Sequence, residues 1–350
     1  MSLHRPGDKF DKVSGVDAIV CYLCQIKSLL MKSRKRTGCL AVVAAVILIT
    51  LYIVLGPGIK LTAPMMKLIL KAGIKEPAET SLADKYDRKT GIPYVTNGDP
   101  AQVLDIYYAD STNRLDAVLI DIHGGFYVAA KKEGNRNFAA TFLSEGFDVV
   151  LVEYRLNDGT RDVSDELSDC AAALDYLTAH AGELGLNRDR MFLTGDSAGG
   201  HMALYMAEGA ADSSVPVRPE VFRPAGVLVN CPAYDFGAFG DAREYADDFK
   251  AWFLGPRFRD RAYLESLSPR TFIGSLEAPL FVSTCTNDFI RSQSLMLKAD
   301  CDSIGKAVTF IDIKSGDMKV GHVHNVTDTG LPESREVNGA MVSFMKAQGL

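Results

Sequence analysis

The sequence has few cysteines and no pattern that would pair them. Its 350 residues include seven cysteines, an odd number scattered along the chain. Cys21 and Cys24 form a lone C-x-x-C without accompanying ligands, which we interpret as coincidence. Four others lie in the predicted globular part, mostly inside apolar runs: Cys170, Cys231, Cys285 and Cys301. Such residues are typical of small buried hydrophobic positions, so the sequence excludes a disulfide scaffold.

Positive charge is also scarce over most of the chain. The formal net charge is −6, and residues 1–36 carry eight Lys and Arg against three Asp and Glu, or +5. Taking that +5 from the total of −6 leaves −11 for residues 37–350. An acidic body argues against a nucleic acid partner. The sequence also lacks internal repeats and low-complexity stretches, so it does not predict a solenoid or a disordered chain.

One long apolar run is present near the N-terminus. Residues 39–55 (CLAVVAAVILITLYIVL) contain no charge, glycine or proline, and roughly 17 to 20 such residues can span a bilayer as a helix. Lys and Arg at 32–36 precede the run, which the positive-inside rule assigns to the cytoplasm. We expect a basic cytoplasmic segment at 1–37, a transmembrane anchor at 38–57 and the remainder outside the cell membrane. The alternative, a cleaved signal peptide, is disfavoured because more than thirty residues precede the run and no A-x-A-like site follows it.

The segment that follows the anchor is amphipathic. Residues 61–74 (LTAPMMKLILKAGI) are apolar with lysines at 67 and 71, which predicts a helix. Two roles remain open for residues 58–90: a juxtamembrane linker lying on the membrane, or a flap over a site in the domain that follows.

From residue 91 onward, short apolar runs alternate with helical segments. Continuous apolar runs separated by helices indicate a mostly parallel sheet covered on both faces, so the fold class is α/β. The predicted strands are 103–108, 117–122, 148–154, 191–194, 225–230, 280–284 and 308–313, with a helix at 164–180. We expect one domain over 91–350.

A glycine-rich turn at 195–200 contains the candidate nucleophile. Gly195-Asp196-Ser197-Ala198-Gly199-Gly200 follows one predicted strand and opens a helix. A G-x-S-x-G turn between strand and helix holds a serine hydroxyl on a strained elbow at the edge of the sheet. The helix N-terminus beside it offers free N–H groups to a developing negative charge. Ser197 is therefore the predicted nucleophile.

An acid and a base follow in the order that this architecture uses, serine, acid, histidine. Asp288 comes just after a predicted strand, at the edge where sites of open α/β sheets collect, whereas Asp312 lies within a strand and is interpreted as structural. His322 follows a glycine soon after the last strand and is the predicted base, with His324 kept as the alternative. His201 sits one turn into the elbow helix and cannot reach over Ser197.

Backbone N–H groups are predicted to bind the oxyanion. One comes from Ala198, the residue after the nucleophile, and others from the loop at Gly124, Gly125 and Phe126. His123, just before that loop, is expected to orient it by hydrogen bonds. This chemistry needs no metal and no cofactor.

These motifs together resemble the α/β-hydrolase superfamily, specifically hormone-sensitive-lipase-like esterases and their feruloyl-esterase- and acetylxylan-esterase-like relatives. The resemblance covers roughly residues 90–350. It departs at Phe126, where the family usually has a third glycine; the family's second and third glycine amides are the donors, which implies the N–H groups of Gly125 and Phe126. The matching motifs are His123-Gly124-Gly125-Phe126, Glu153-Tyr154-Arg155-Leu156, Gly195-Asp196-Ser197-Ala198-Gly199-Gly200-His201 and the pair Asp288 and His322.

The alternation stops between the strands at 225–230 and 280–284. The insert, about 231–275, is rich in aromatic residues: Tyr234, Phe236, Phe239, Tyr245, Phe249, Trp252, Phe253 and Phe258. We interpret it as a cap over the site, in which most rings pack the cap onto the sheet and one or two reach a substrate pocket.

The sequence thus predicts a membrane-anchored serine hydrolase, a carboxylesterase that cleaves short or medium acyl esters through an acyl-Ser197 intermediate. Two alternatives remain open. One is an amidase or peptidase with the same triad, and the other is a non-catalytic cell-surface binding protein on a hydrolase fold. The natural ester and the oligomeric state are not predicted.

Overall fold

A single sheet of eight strands organises the part of the chain that the computed structural model describes, residues 60–73, 80–243 and 245–349. The strands are β1 (Arg88–Pro93), β2 (Val103–Tyr107), β3 (Val118–Ile122), β4 (Asp148–Val152), β5 (Met191–Asp196), β6 (Gly226–Asn230), β7 (Leu280–Cys285) and β8 (Val308–Ile313). Their spatial order is β1-β2-β4-β3-β5-β6-β7-β8. Strands β3 to β8 pair in parallel, while β1 and β2 pair antiparallel at one edge. The predicted α/β class with a mostly parallel sheet is confirmed.

Helices connect the parallel strands and cover both faces. They are α1 (Ala63–Gly73), α2 (Arg136–Ser144), α3 (Val163–Ala179), α4 (Ala181–Leu184), α5 (Ala198–Ala211), α6 (Phe236–Asp241), α7 (Asp247–Leu254), α8 (Arg261–Ser266), α9 (Pro269–Phe272), α10 (Arg291–Ser303), α11 (His324–Thr327) and α12 (Pro332–Lys346). Two apolar clusters lie on opposite faces of the sheet. Strands β3 to β7 are buried along their whole length, which explains why each appears as a continuous apolar run.

The edge of the sheet differs from the sequence prediction. The first predicted strand, β2, is second from the edge, because β1, which was not predicted, pairs with it on the outside. Most of β1 is solvent-exposed and its sequence is RKTGIP. An exposed edge strand need not alternate apolar and polar residues, so the period-two signal is missing there. The sheet therefore begins at Arg88, three residues before the predicted start of the domain at 91.

The predicted cap insert forms helices α6 to α9 between β6 and β7. Helix α1 packs against α7 of this cap, with the Met66 and Leu70 side chains buried. The Ala246 N–H donates to the Leu61 carbonyl at 2.8 Å, and the Ala63 N–H donates to Asp248 Oδ2 at 3.1 Å. The described part of the predicted linker or flap is thus an element of the cap.

No helix within residues 60–73, 80–243 and 245–349 has the length and apolar character needed to cross a bilayer. The predicted cytoplasmic segment at 1–37, the predicted anchor at 38–57 and the Cys21/Cys24 pair all lie outside the described residues. The four cysteines of the globular part are free and buried, as their apolar context predicts.

Candidate active site

The candidate nucleophile lies on a strained turn between β5 and α5. Ser197 has φ 55° and ψ −114°, a conformation that an L-residue adopts only where the surrounding structure enforces it. Its N–H donates to the Asn230 carbonyl on the neighbouring strand at 2.9 Å. A Cβ on Gly199 would lie 1.9 Å from the Ile122 carbonyl oxygen of β3, so only glycine permits this approach of helix and sheet. The sequence and the sheet together impose the elbow.

The acid and base candidates are paired. Asp288 follows β7, and its Oδ1 lies 2.6 Å from His322 Nδ1. The same carboxylate accepts hydrogen bonds from the Thr284 hydroxyl at 2.8 Å and the Ile290 N–H at 3.0 Å. Burial by itself would raise the pKa of Asp288, but the facing His322 ring and these hydrogen bonds hold it below its ordinary value. Asp288 is therefore a charged acceptor that fixes the orientation of the His322 ring.

The Asp288–His322 pair lies near the Ser197 turn, and the last residue of β6 and the residue after it lie between them. Ser197 is hydrogen-bonded to Asn230, and the next residue, Cys231, has its Sγ within 4.8 Å of a His322 ring nitrogen. His322 Nε2 is buried and has no hydrogen-bond partner among the described residues. The structure thus brings Ser197, Asp288 and His322 to one edge of the sheet and leaves the second ring nitrogen uncommitted.

The other two histidines of this region form no hydrogen bond with Asp288. His324 begins α11, is buried, and has neither ring nitrogen hydrogen-bonded to a described residue. Burial lowers its pKa to about 4, so the ring is neutral over most of the pH range. His201 lies 2.8 Å from the Leu267 carbonyl through Nε2 and contacts the cap. Asp288 therefore pairs with His322 and not with His324. His201 faces the cap and not the Ser197 side chain, as the sequence predicts.

The loop after β3 supplies candidate oxyanion donors. Its backbone has positive φ at Gly125 (123°), Phe126 (55°) and Tyr127 (65°). Among the residues that the structure describes, the N–H groups of Gly125, Phe126 and Ala198 donate no hydrogen bond. The prediction that Gly124 is a further donor is wrong, because its N–H donates to Asp196 Oδ1 at 3.1 Å. Gly124 anchors the loop, and the N–H groups of Gly125, Phe126 and Ala198 remain the candidate oxyanion donors.

His123 fixes this loop from behind. Its Nδ1 lies 2.7 Å from the Gly124 carbonyl, and its ring stacks on Tyr154 with centroids 4.4 Å apart. The Tyr154 hydroxyl donates to the His123 carbonyl at 2.7 Å. In the same sequence motif, Arg155 forms an ion pair with Asp169 at 2.7 Å. The Glu153–Leu156 motif therefore supports the loop rather than touching the reacting atoms.

Known proteins are similar to this chain in sequence and in fold. The BD-FAE family model matches residues 104–300, more than half of the 350 residues. The chain belongs to the BD-FAE family. Its fold is that of the α/β hydrolases, and within them it groups with the hormone-sensitive-lipase-like esterases.

Individual relatives match over shorter stretches. "Lipase 2" of Moraxella sp. is 33% identical over 94 residues, covering 27% of this chain and 22% of that protein. "Carboxylesterase NlhH" of Mycobacterium tuberculosis is 32% identical over 152 residues, covering 41% of this chain and 47% of that protein. The chain thus spans less than half the length of these curated relatives. Among solved structures, Esterase B of Lactobacillus Rhamnosis has a TM-score of 0.68 and 26% identity, covering 80% of this chain and 89% of that chain.

Against that family background, Phe126 gives the site an aromatic wall. The Phe126 ring stacks on Phe289 with centroids 5.7 Å apart, and Phe289 packs on the His322 ring at 4.3 Å. On its other side Phe126 meets Phe249 of the cap at 6.4 Å. The side chain that replaces the family's third glycine therefore links the oxyanion loop, the base and the cap. Neither Phe289 nor its position beside the base was predicted from the sequence.

One grouping in the described chain has ligand types that suit a metal ion. Cys231 Sγ, a carboxylate oxygen of Asp288 and a ring nitrogen of His322 lie within 4.8 Å of one another. Burial raises the pKa of the Cys231 thiol well above its ordinary value, and thiolate is the form that binds metal. Asp288 is meanwhile committed to the His322 ring. The grouping is better described as an acid–base pair with a neutral thiol beside it.

Three buried side chains near the loop were not predicted from the sequence as part of the site. Asn135, at the end of the 3₁₀ turn Lys132–Asn135, donates to both Asp121 of β3 and Asp196 of β5. Asp121 lies inside an apolar strand, and that interruption is the one signal in the sequence. Asn135 carries no local signal, because only the folded sheet brings it to the two carboxylates.

The contact between Gly124 and Asp196 leads to a stability prediction. A Cβ on Gly124 would lie 2.5 Å from both the carbonyl oxygen and Oδ2 of Asp196. Gly124→Ala is therefore expected to destabilise the fold by about 1–3 kcal/mol, the usual cost of overpacking a buried contact. Urea unfolding followed by circular dichroism measures it. Gly134→Ala is the control, because a Cβ there meets nothing within 4 Å; equal stability of the two variants would contradict the proposed fit.

Proposed function

We propose that the chain is a membrane-anchored carboxylesterase that cleaves short or medium acyl esters through an acyl-Ser197 intermediate. The proposal depends above all on one observation, the Asp288–His322 pair held beside the strained Ser197 elbow. The 2.6 Å contact occupies Nδ1 of His322 and leaves Nε2 as the ring's proton acceptor. On a BD-FAE family fold, a histidine oriented by an acid beside the serine turn supports nucleophilic catalysis by Ser197.

The reaction follows from these roles. His322 Nε2 takes the Ser197 hydroxyl proton as the oxygen attacks the ester carbonyl, and Asp288 stabilises the imidazolium that forms. The N–H groups of Gly125, Phe126 and Ala198 bind the oxyanion, assisted by the N-terminal end of the 14-residue helix α5. His322 then gives the proton to the departing alcohol. Water, activated by the same ring, releases the acid and restores Ser197.

The aromatic wall supports short or medium acyl esters as the substrates. Phe126, Phe289 and Phe249 present apolar, rigid surface beside the base, which suits an acyl chain and limits its length. A structure of Esterase B from Lactobacillus Rhamnosis is described as inhibited by a C4-C4 tributyrin phosphonate, an analogue with short acyl chains. We infer the same class of substrate for this chain.

The sequence supports the membrane anchor. The apolar run at 39–55 ends a few residues before Leu61, whose carbonyl is bonded to Ala246 of the cap. In our proposal the run spans the cell membrane with the basic N-terminal segment in the cytoplasm and the catalytic domain outside. The cap then lies close to the membrane surface.

The nucleophile can be tested by covalent labelling. A fluorophosphonate probe is expected to label the wild-type chain, while Ser197→Ala removes the attacking oxygen and abolishes labelling. Gel fluorescence and intact-mass measurement follow the adduct. The matched control is Ser294→Ala, another buried serine, on α10. Equal labelling of wild type and Ser197→Ala would refute the serine mechanism.

The base can be tested by comparing the two neighbouring histidines. His322→Ala is expected to lower kcat for p-nitrophenyl butyrate by about 10⁴-fold or more, because the proton acceptor is lost. His324→Ala should keep most of the activity, since Asp288 is paired with His322. Circular dichroism of both variants checks that they fold. The reverse ranking would assign the base to His324.

The anchor can be tested in cells that produce the full chain. The wild type is expected in the membrane fraction and resistant to carbonate extraction, with its C-terminal domain accessible to external protease. Changing both Ile47 and Leu48 to Arg should release it, because each charge at a helix centre costs about 2.5–3.5 kcal/mol on insertion scales. Changing the same two residues to Val is the control. Carbonate-soluble wild-type protein would remove the anchor from the proposal.

A further inference from the structure

Two buried carboxylates lie behind the oxyanion loop. The register of the sheet pairs Asp121 with Thr194, so Asp196, two residues further along β5, points to the same face. Asp121 is 1% exposed and Asp196 is 7% exposed. Their position on one face of adjacent strands puts two acidic groups into the same poorly solvated space.

A single amide bridges them. Asn135 Nδ2 donates to Asp121 Oδ2 at 2.9 Å and to Asp196 Oδ1 at 3.0 Å. Asp196 Oδ1 also accepts the Gly124 N–H at 3.1 Å. The other oxygen of Asp121, Oδ1, is buried without a partner among the described residues. The chain of contacts thus runs from Asp121 through Asn135 and Asp196 to the oxyanion loop.

The electrostatics of this site decide which of the two carboxylates, Asp121 or Asp196, keeps a proton. Ionising both of two carboxylates that share one amide donor and little water has a high free-energy cost. Asp196 has two donors to support a negative charge, whereas Asp121 has only one, plus an oxygen with no partner. The proton therefore resides on Asp121. Burial and the charge of Asp196 raise the pKa of Asp121 to about 7.

We propose that Asp121 is a positioning residue whose proton lets the Asp196 carboxylate hold Gly124, so that loss of this proton loosens the oxyanion loop and limits turnover at alkaline pH. This inference rests on the proposed esterase function for its kinetic consequence. The second negative charge would repel Asp196 from the shared amide and weaken its hold on Gly124. Because oxyanion donors act on the transition state, kcat should fall while KM changes little.

Other titratable groups face this set. His123 and His322 are the cations or potential cations whose charges act on Asp196, and His123 also acts on Asp121. His123 Nε2 in turn lies 3.5 Å from Glu153 Oε1. Burial by itself would lower the pKa of His123, but Glu153 and the Gly124 carbonyl raise it. An alkaline limb could therefore come from His123, and the experiment must separate the two sources.

The test is the pH dependence of kcat and KM for p-nitrophenyl butyrate with the full-length chain. In the wild type, kcat is expected to fall about tenfold or more above pH 7, up to the roughly 10²–10³-fold that complete loss of an oxyanion donor costs. Asp121→Asn cannot ionise, so its profile, normalised to its own maximum, should lose this alkaline limb. Asn135→Ala removes a donor that favours the charged carboxylates and should move the limb to higher pH.

Two controls carry the same type of change. Glu153→Gln lowers the pKa of His123, so a limb that belongs to His123 would move to lower pH. A limb that belongs to Asp121 would not move to lower pH, because the His123 charge lowers the pKa of Asp121 and this variant weakens that charge. Asp148→Asn neutralises another buried carboxylate and should leave the profile unchanged. Asp148 is the first residue of β4 and pairs with the first residue of β3, at the end of the sheet away from the oxyanion loop. An alkaline limb that persists in Asp121→Asn, or that moves only in Glu153→Gln, would overturn the proposal.

A second readout does not depend on activity. Asp121 keeps its proton in the folded chain up to about pH 7 but loses it near its ordinary value of 3.8 when unfolded. The folded state then binds more protons, so wild-type stability should fall as pH rises across this window and level off above it. Urea unfolding should show a weaker fall for Asp121→Asn, and identical slopes would overturn the proposal. Failure of the esterase function is distinct: no wild-type ester turnover at any pH and no phosphonate labelling of Ser197.

Discussion

The Ser197 backbone is the constraint on which the rest of the site depends. A φ of 55° at a non-glycine residue costs about 1–3 kcal/mol and persists only where the surroundings enforce it. Here the Ser197 N–H donates to the Asn230 carbonyl, and the Ser197 carbonyl accepts the Ala233 N–H at 3.3 Å. Gly199 lets α5 approach β3. With β5 in the middle of the parallel strands, the same edge of the sheet receives the loops after β3, β7 and β8, which carry the candidate oxyanion donors, acid and base.

Buried charge is the second theme, because each carboxylate near the site is held in a different way. Asp288 accepts three hydrogen bonds and remains charged. Asp196 is supported by Asn135 and Gly124. Asp121 has a single donor and an oxygen without a described partner, so it retains its proton more readily. In a poorly solvated interior the number of donors thus decides which group carries the charge.

Several elements show how far sequence reasoning reached. The strands β3, β5 and β8 agree with prediction to within two residues at each end. For β3 and β5 the apolar run is the direct result of burial on both faces. The exposed edge strand β1 was missed for the converse reason. Gly124 was assigned a donor role that its N–H, bound to Asp196, cannot take. A glycine motif marks a tight loop but does not say which of its N–H groups point toward the substrate.

The sequence by itself determined the fold class, the serine elbow and the order of serine, acid and histidine, since these depend on local periodicity and on turn residues. The sequence favoured His322 over His324 as the base, and the tertiary structure decided the pairing with Asp288, because it depends on a loop closing across 34 residues. The tertiary structure also placed Phe289 on the His322 ring and joined Asp121 to Asp196 through Asn135. These contacts link residues far apart in the chain, and only the register and twist of the sheet bring them together.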